Sequence, residues 1–572
     1  MYVVARVSIE IVTLLRNKST IMFCRLKLLF NTIRYLKIKQ IYFRIYYRFK
    51  KLKPLFLEKG STVTLSYQFD WHGVCYAPQS VFNDNTAKFL NETASIKATT
   101  IWNDESKEKL WLYNLHYLDD LNSVGAEDRC EQHLHFIHRW IDENPPVHGS
   151  GWVPYTLSLR LVNLVKWCCR NKVYDHKILT SILQQADALE QQFEYHILAN
   201  HLFANAKALV FIGVFLGDSL GKKFLTKGLH VLKQEMNEQF LSDGAHFELS
   251  PMYHSVLLWD VLELIDLAVI TSEQTLATEI NQWKKIAEKG IYWLNSMCHP
   301  DDEISFFNDA ASGIAPRPAI IREYANKLGI CKNVISREQI VSMQVSGYTR
   351  VNLKSAGSVL LINHTEIQPS YQPGHAHADT LSFELSLLGH RVFVNTGTSQ
   401  YGLGDERNRQ RSTLSHNTLN IDNKDSSEVW NGFRVARRAK ITEYSYNITE
   451  EKQIVSVAHD GYTRIDKSLI HQRMFTSEKG KLVISDSLAN ANKVNANARY
   501  HIHPSVKIVK FSDSSAQLKL PNDVVVEVKV SGGKMSRHMY NYFPEFGLKI
   551  GSEFIEVRMS DSELDFIITW KE

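Results

Sequence analysis

The sequence predicts a multidomain α+β protein with two unlike halves, helices first and antiparallel sheets second. Two observations carry this. From residue 106 to 344 apolar residues recur at three- and four-residue spacing, and from 345 to 572 they alternate in short β-branched runs. The first period is that of an amphipathic helix and the second that of a half-buried strand. A third observation sets the N-terminus apart. Residues 1–53 hold 13 Lys/Arg against one acid, Glu10, so in a chain of net charge +5 the remainder carries −7.

Within residues 1–53, "RLKLLFNTIRYLKIKQIYFRIYYRFKKLK" is basic and aromatic. Such a stretch suits peripheral contact with an anionic membrane or a solvated docking helix. The apolar runs before it are broken by Arg6, Glu10, Arg16 and Lys18. They form neither a span of about 20 apolar residues nor an export signal with a small-residue cleavage site. Met22 is a second candidate start. The compartment is read as cell envelope or periplasm, with a membrane-associated cytoplasmic protein as the alternative.

Residues 54–105 read as a linker-like β region containing "STVTLSYQF". "YTLSLRLVNLVKWCC", "KILTSILQQADALEQQF", "HILANHLFANAKALVFIGVFLG" and "SPMYHSVLLWDVLELIDLAVI" then follow as helices with short connections. Helices in sequence with no strands between them suggest a bundle, a solenoid or a toroid. "GSVLLIN", "TLSFELSL", "RVFVNTG", "DVVVEVKV" and "EFIEVRM" read as strands of antiparallel sheets packed on one another. A cleft between two such halves is the natural place for a site.

Composition narrows the class. Hydrophobic residues at 44% and charged residues at 22% are ordinary for a soluble globular protein. Seven cysteines without a C-x-x-C spacing argue against a disulfide framework and a cysteine zinc cluster. An acidic body gives no basis for a nucleic-acid partner. The sequence is silent on oligomeric state.

Three polar clusters interrupt the apolar pattern. Asn200, His201 and Asn205 lie inside the apolar run "EYHILANHLFANAKAL". Burying an unpaired polar group costs about 2–7 kcal/mol, so these need partners or a wet cleft. His201 and Asn205, four apart, would suit each other. In "DGAHFELSPMYHS", Ser250-Pro251 reads as an N-cap and a helix-starting proline. That puts Tyr253 in the first turn, where the helix dipole favours a phenolate; a satisfied, partly buried tyrosine is the alternative. His246, Glu248 and His254 surround it in sequence. The third cluster is "PGHAHADTLSFEL". If the alternation of Thr380–Leu387 extends backwards, His375, His377 and Asp379 share one face of a strand. With His416 they could form a nitrogen-rich metal site or a hydrogen-bonded structural cluster.

In this order, "NHLFANAKAL", "DGAHFELSPMYH", "PGHAHADTLSFEL" and "NTGTSQY…RQRSTLSHNTLNID" resemble the heparinase II/III-like polysaccharide lyases, which include heparinase III and related alginate lyases. The resemblance covers about residues 100–570. It implies an N-terminal incomplete (α/α) toroid followed by a C-terminal antiparallel β-sandwich, with an acidic polysaccharide bound in the cleft between them. It implies β-elimination at a uronate that leaves a 4,5-unsaturated end. Asn200, helped by His201, matches the position that neutralises the uronate carboxylate, and Tyr253 and His375 match the proton-transfer pair. Arg407, Arg411 and Asn417 lie near enough in sequence to help bind an anionic sugar, as do His246 and Glu248; Asn114, His116, Tyr155 and Arg160 suit either sugar binding or a structural role inside the toroid. One zinc ion is implied at His377, Asn395 and His416. Asn395 departs from the family's aspartate, which leaves Asp379 as a substitute ligand. No organic cofactor is expected.

Two other readings compete. A glycoside hydrolase on a toroid would take its paired carboxylates from Asp243, Glu248 and Asp309. A non-catalytic glycan-binding envelope protein would use the same surfaces without turnover.

Overall fold

The computed structural model describes residues 22–56, 63, 65, 69–271, 273–330 and 338–571. The segment before Met22, most of "STVTLSYQF" and Cys331 lie outside them. The described helices are α1 (22–33), α2 (Ile38–Phe49), α3 (Lys109–Tyr117), α4 (Cys130–Glu143), α5 (Pro154–Asn171), α6 (His176–Gln191), α7 (Ala199–Leu216), α8 (Ser219–Gln239), α9 (Pro251–Thr271), α10 (Gln274–Ala277), α11 (Ile280–Ser296), α12 (Pro318–Lys327) and α13 (Asp405–Arg411). The region 54–105 contributes the hairpin Thr86–Phe89 with Glu92–Ser95. The six described cysteines are free, as their scattered spacing predicts.

α3 to α12 form the toroid. α7 is apolar around its whole circumference because it runs through the centre of that domain. Among the described residues it is the one helix long and apolar enough to cross a membrane, yet 94% of it is buried inside the fold. Its packing on α8 is close: a Cβ at Gly213 would sit 2.5 Å from the backbone nitrogen of Leu225, so glycine is required there.

The change from helix to strand falls between Lys327 and Ile340, a few residues before 345. Five antiparallel strands from Ile340 to Phe393 form a meander. An eight-stranded sheet spans Ile441 to Thr569, and Leu419–Ile421, Ala496–His501, Ile550–Met559 and Gly533–Tyr542 build a four-stranded one. Both faces of the meander are covered. Along Val359–Asn363, Leu360 and Ile362 enter the sandwich core with Phe475 and Phe566. Val359 and Leu361 face the other way, onto Leu249, Trp293 and Phe307 of the helical domain. That second face fuses toroid to sandwich.

One local expectation fails. The strand begins at Phe383, and residues 371–382 form an irregular loop. Leu381 at φ 63° breaks the extended chain, so the alternation does not carry back to His375. A loop can turn His375 and His377 toward a common partner, which a pleat could do only along one line.

α1 and α2 lie across both domains. Gln40 donates to the carbonyls of Ile197 and Tyr371, and Tyr47 donates to that of Phe193. Trp430 Nε1 donates to Thr32 Oγ1 at 3.2 Å, and Arg438 stacks on Tyr35 at 3.7 Å. The basic N-terminal segment therefore borders the loops that lead into α7 and His375.

Candidate active site

The residues from α7, α9 and the 371–382 loop meet between the two domains. α7 begins abruptly: Leu198 and Ala199 both hold positive φ, at 69° and 54°, which costs side-chain-bearing residues about 1–2 kcal/mol each. The turn delivers Asn200 at the helix start. His201 and Asn205 do not pair with each other. Both bind Glu194, through His201 Nδ1 at 3.0 Å and Asn205 Nδ2 at 3.1 Å. Burial opposes protonation of His201, but the Glu194 carboxylate outweighs it and raises the imidazole pKa. The Tyr155 ring lies 4.5 Å from that of His201.

α9 starts as its sequence predicts, with Ser250 Oγ accepting the Tyr253 backbone N–H at 3.2 Å. The Tyr253 hydroxyl meets that of Tyr401 at 2.9 Å, and its ring lies 4.0 Å from the His375 ring. The electrostatic expectation for this tyrosine is overturned. Burial first, then the neighbouring Tyr401, hold the phenol well above its ordinary pKa, so burial outweighs the helix dipole and Tyr253 rests protonated.

Asp309 organises the cluster. Its fully buried carboxylate accepts His375 Nδ1 at 2.8 Å, His377 Nε2 at 2.7 Å and both terminal nitrogens of Arg407. Burial would raise its pKa, but the Arg407 guanidinium and the two imidazoles hold it well below the usual carboxylate range. An ionised Asp309 fixes the proton of His375 on Nδ1, leaving Nε2 as the lone-pair nitrogen. That Nε2 stands 3.8 Å from Glu248 Oε2. Glu248 is 2% exposed, receives the Asn200 backbone N–H at 3.4 Å on Oε1, and has no partner at Oε2. Burial pushes its carboxyl pKa up. Asn200, Glu248, Tyr253, His375 and Tyr401 thus converge, with a base nitrogen and a protonated phenol side by side.

Several residues expected to bind substrate serve as scaffold. Arg160 is fully buried and gives its donors to Gln185 Oε1 and the carbonyls of His116 and Gly151, while stacking on Trp140 at 3.8 Å. His116 is held between the Trp102 carbonyl and Trp140 Nε1, and burial pushes its pKa down to about 3. Asn114 donates back to Leu110 within α3. His246 is fully buried against Gln239. Arg407 spends its charge on Asp309. Arg411 pins the carbonyls of Pro373 and Ala376, and Asn417 bonds Phe383 and His501 inside the sheets. Arg407 and Arg411 hold the 371–382 loop through the carbonyls of Gly374, Pro373 and Ala376, and Asn417 holds the sheets beside it. The physical reason is common to all of them: a long polar side chain in a domain this large finds buried acceptors before it reaches the cleft. Of the expected binding residues, Tyr155 and Glu248 remain beside Asn200 and His375.

The zinc site does not fit. His377 Nε2 is committed to Asp309, and His416 Nδ1 donates to Asn395 Oδ1 at 3.0 Å. That leaves two imidazole lone pairs, on His377 Nδ1 and His416 Nε2, beside a neutral amide. No three His, Cys, Asp or Glu side chains converge as ligands among the described residues. Asp379 supplies none; its carboxyl lies against the Asn308 backbone, and burial raises its pKa to about 7.

Three participants were not legible in advance. Glu194 opens "EYHILANHLFANAKAL" and Tyr401 closes "NTGTSQY", but local spacing does not reveal the partners the fold gives them, and Asp309 in "FFNDAAS" reads as a hydrolase acid because its partners lie 66 or more residues away.

Comparison with known proteins bears on the family and the fold. Residues 124–330 match the family model described as heparinase II/III N-terminus, and residues 336–571 that described as heparinase II/III-like, C-terminal. A heparin-sulfate lyase of Pedobacter heparinus is 26% identical over 417 residues, covering 68% of this chain and 57% of that protein. One of Bacteroides stercoris is 22% identical over 333 residues, 54% and 46% of the two. The chain spans about half the length of these curated relatives. A crystal structure of heparinase III superposes with a TM-score of 0.65 at 17% identity, covering 92% of this chain and 88% of the other. A heparan sulfate lyase HepC from Pedobacter heparinus superposes at 0.55 and 15% identity, over 93% and 88%. These structural likenesses establish the shared fold.

Proposed function

Because this chain belongs to the heparinase II/III-like family, we propose that it is a polysaccharide lyase that cleaves a uronate-containing acidic polysaccharide by β-elimination. The observation that supports this best is the pairing of His375 with Tyr253 across the domain cleft, at 4.0 Å between rings. His375 Nε2, freed by the Nδ1 bond to Asp309, takes the C5 proton. The C4–O4 bond breaks, C4=C5 forms, and the Tyr253 phenol gives its proton to the departing O4. Removing a C5 proton requires that the uronate carboxylate be neutralised as charge spreads into it. Asn200 supplies amide donors, and burial raises the pKa of the neighbouring Glu248 carboxyl. His201, whose pKa the Glu194 carboxylate raises against burial, stands beside them.

The expected signal is new ultraviolet absorbance from a 4,5-unsaturated uronate on supplying a panel of uronate polymers. Tyr253→Phe and His375→Ala should each lower kcat by about 10²–10⁴-fold with the fold retained. Unchanged turnover in either variant rejects the assignment. The hydrolase reading loses its chemistry, since Asp309 is ionised and locked to Arg407, and Asp243 is tied to the Ser346 backbone N–H at 2.8 Å. A reducing-end increase without ultraviolet absorbance would revive it.

We read the partner of the N-terminal segment as an anionic bilayer surface, a reading that suits a protein of the cell envelope. Phe23, Leu26, Phe30 and Ile33 line the outer face of α1, and Ile38, Ile41, Ile45 and Phe49 that of α2, with Phe30 69% and Phe49 78% exposed. An apolar stripe of this extent flanked by Lys and Arg suits an interfacial helix.

A further inference from the structure

We propose that α1 and the hairpin around Trp430 and Arg434 form a second anion-binding subsite, which takes an acidic sugar unit of the polymer away from the scissile bond. This rests on the lyase reading above. A cavity of about 440 Å³ lies between them, lined by Arg25, Leu29, Asn408, Trp430, Asn431 and Arg434. Both arginines are exposed, and neither has an ion-pair partner among the described residues. The Arg434 guanidinium lies 5.0 Å from the Trp430 ring, whose Nε1 is anchored on Thr32. Arg44 on α2 stands near enough that Arg434, after burial, lowers its pKa. Unpaired like charges held together in one place are unfavourable unless an anion joins them. Asn408 accepts the Gly432 N–H at 3.1 Å through Oδ1, leaving its NH₂ to donate.

The chemistry fits a charged sugar: guanidinium groups for a carboxylate or sulfate, amides for hydroxyls, and an indole face for the ring. The position fits the same polymer. Phe433, between the subsite residues, meets the Tyr401 ring edge-on at 5.8 Å, Tyr401 bonds Tyr253, and the Gly432 carbonyl accepts Arg407 Nε at 3.1 Å. A chain leaving the catalytic pair along this hairpin meets the arginines next. A lipid headgroup is the poorer fit, because the apolar stripe of α1 is on its other face. Arg25 lies ahead of both family-model matches, and Asn408, Trp430 and Arg434 lie inside the C-terminal one.

The test compares wild type with an Arg25→Ala/Arg434→Ala double variant, and with Trp430→Ala and Trp430→Phe, on size-fractionated heparan sulfate. The double variant and Trp430→Ala should raise KM about 10-fold for long chains with kcat unchanged, and leave tetrasaccharide kinetics alone. Trp430→Phe should restore most of the affinity. Calorimetric titration of the full chain carrying Tyr253→Phe, with and without the double substitution, reads binding without turnover and should show the same 10-fold loss. Equal binding with and without the arginines overturns the subsite, as does failure of the Tyr253→Phe chain to bind. So does a loss of affinity for anionic phospholipid vesicles with glycan binding intact. If wild type cleaves no polymer, the lyase reading fails and the calorimetric arm still decides the subsite. Should the double variant misfold, Arg434→Gln alone is read in the same two assays.

Discussion

At the scale of single residues, Asp309 shows how a buried charge can set the chemistry of groups around it. It never touches substrate in this arrangement, yet its ionised state decides which nitrogen of His375 carries the proton. Asp309→Asn removes the charge while keeping the shape, so His375 loses its preferred tautomer and Arg407 is left buried and unpaired. The expected result is a fall in kcat of at least about 100-fold with little change in KM, measured by ultraviolet turnover. Asp379 gives a prediction of the opposite kind. Its folded pKa is raised by burial to about 7, from an ordinary 3.8. The folded protein therefore holds this proton more tightly than the unfolded chain. Its stability contribution is complete below pH 4 and is lost as pH rises through 7. Asp379→Asn does not titrate, so the melting temperature of wild type should fall relative to the variant between pH 5 and pH 8. A constant difference across that range rejects the assignment. The remaining residue-scale prediction concerns metal. His377, Asn395 and His416 lack a third anionic or imidazole ligand, so dialysis against a chelator should leave turnover unchanged. Asn395→Asp should bind more zinc by elemental analysis than wild type.

At the scale of elements, the helices and strands carry two kinds of information. α7 and α9 are apolar on every side, which fixes their depth in the toroid, while their first turns carry Asn200 and Tyr253 out into the cleft. The strained residues Leu198, Ala199, Leu249 and Asn308 stand immediately before these functional groups or Asp309. Left-handed backbone at non-glycine positions is kept where the surrounding packing imposes it, and here it aims side chains. α1 and α2 show the reverse pattern: their inner faces are bound to both domains by Gln40, Tyr47 and Thr32, and their outer faces are apolar. Replacing Phe23, Phe30 and Phe49 by serine should reduce sedimentation with anionic vesicles several-fold and leave hydrolysis-free ultraviolet turnover of soluble oligosaccharide unchanged. Vesicle binding equal to wild type would reject the bilayer as the partner of these helices.

At the scale of the whole molecule, a site shared between two domains requires the domains to keep their register. The meander supplies one connection by burying both its faces. Within the sandwich, a buried brace runs beneath the 371–382 loop: Arg473 pairs bidentately with Asp486 at 2.7 and 2.8 Å and donates to the carbonyls of Leu381 and Asn417. Both charged groups are fully buried, and Arg473 holds Asp486 well below its ordinary pKa range, against the effect of burial. Arg473→Met leaves the buried Asp486 with the His471 imidazole at 2.7 Å but without its guanidinium, at a cost of about 3–5 kcal/mol. The expected readout is a large fall in denaturant midpoint.

The sequence by itself determined the order of the halves and the capped start of α9, and its motif-level family resemblance singled out Asn200, Tyr253 and His375 as site candidates. These follow from periodicity, capping and local motifs, all of which act over a few residues. Tertiary structure alone decided which polar groups reach substrate. Arg160, Arg407 and Arg411 carry the same charge in sequence as Arg25 and Arg434, yet the first three are consumed by buried acceptors and the last two face a cavity. It also decided that Tyr253 rests protonated, because burial between domains outweighs a helix dipole that sequence alone could see. The physical reason is range: propensity and spacing are local, whereas desolvation and pairing of buried charge depend on residues hundreds of positions away.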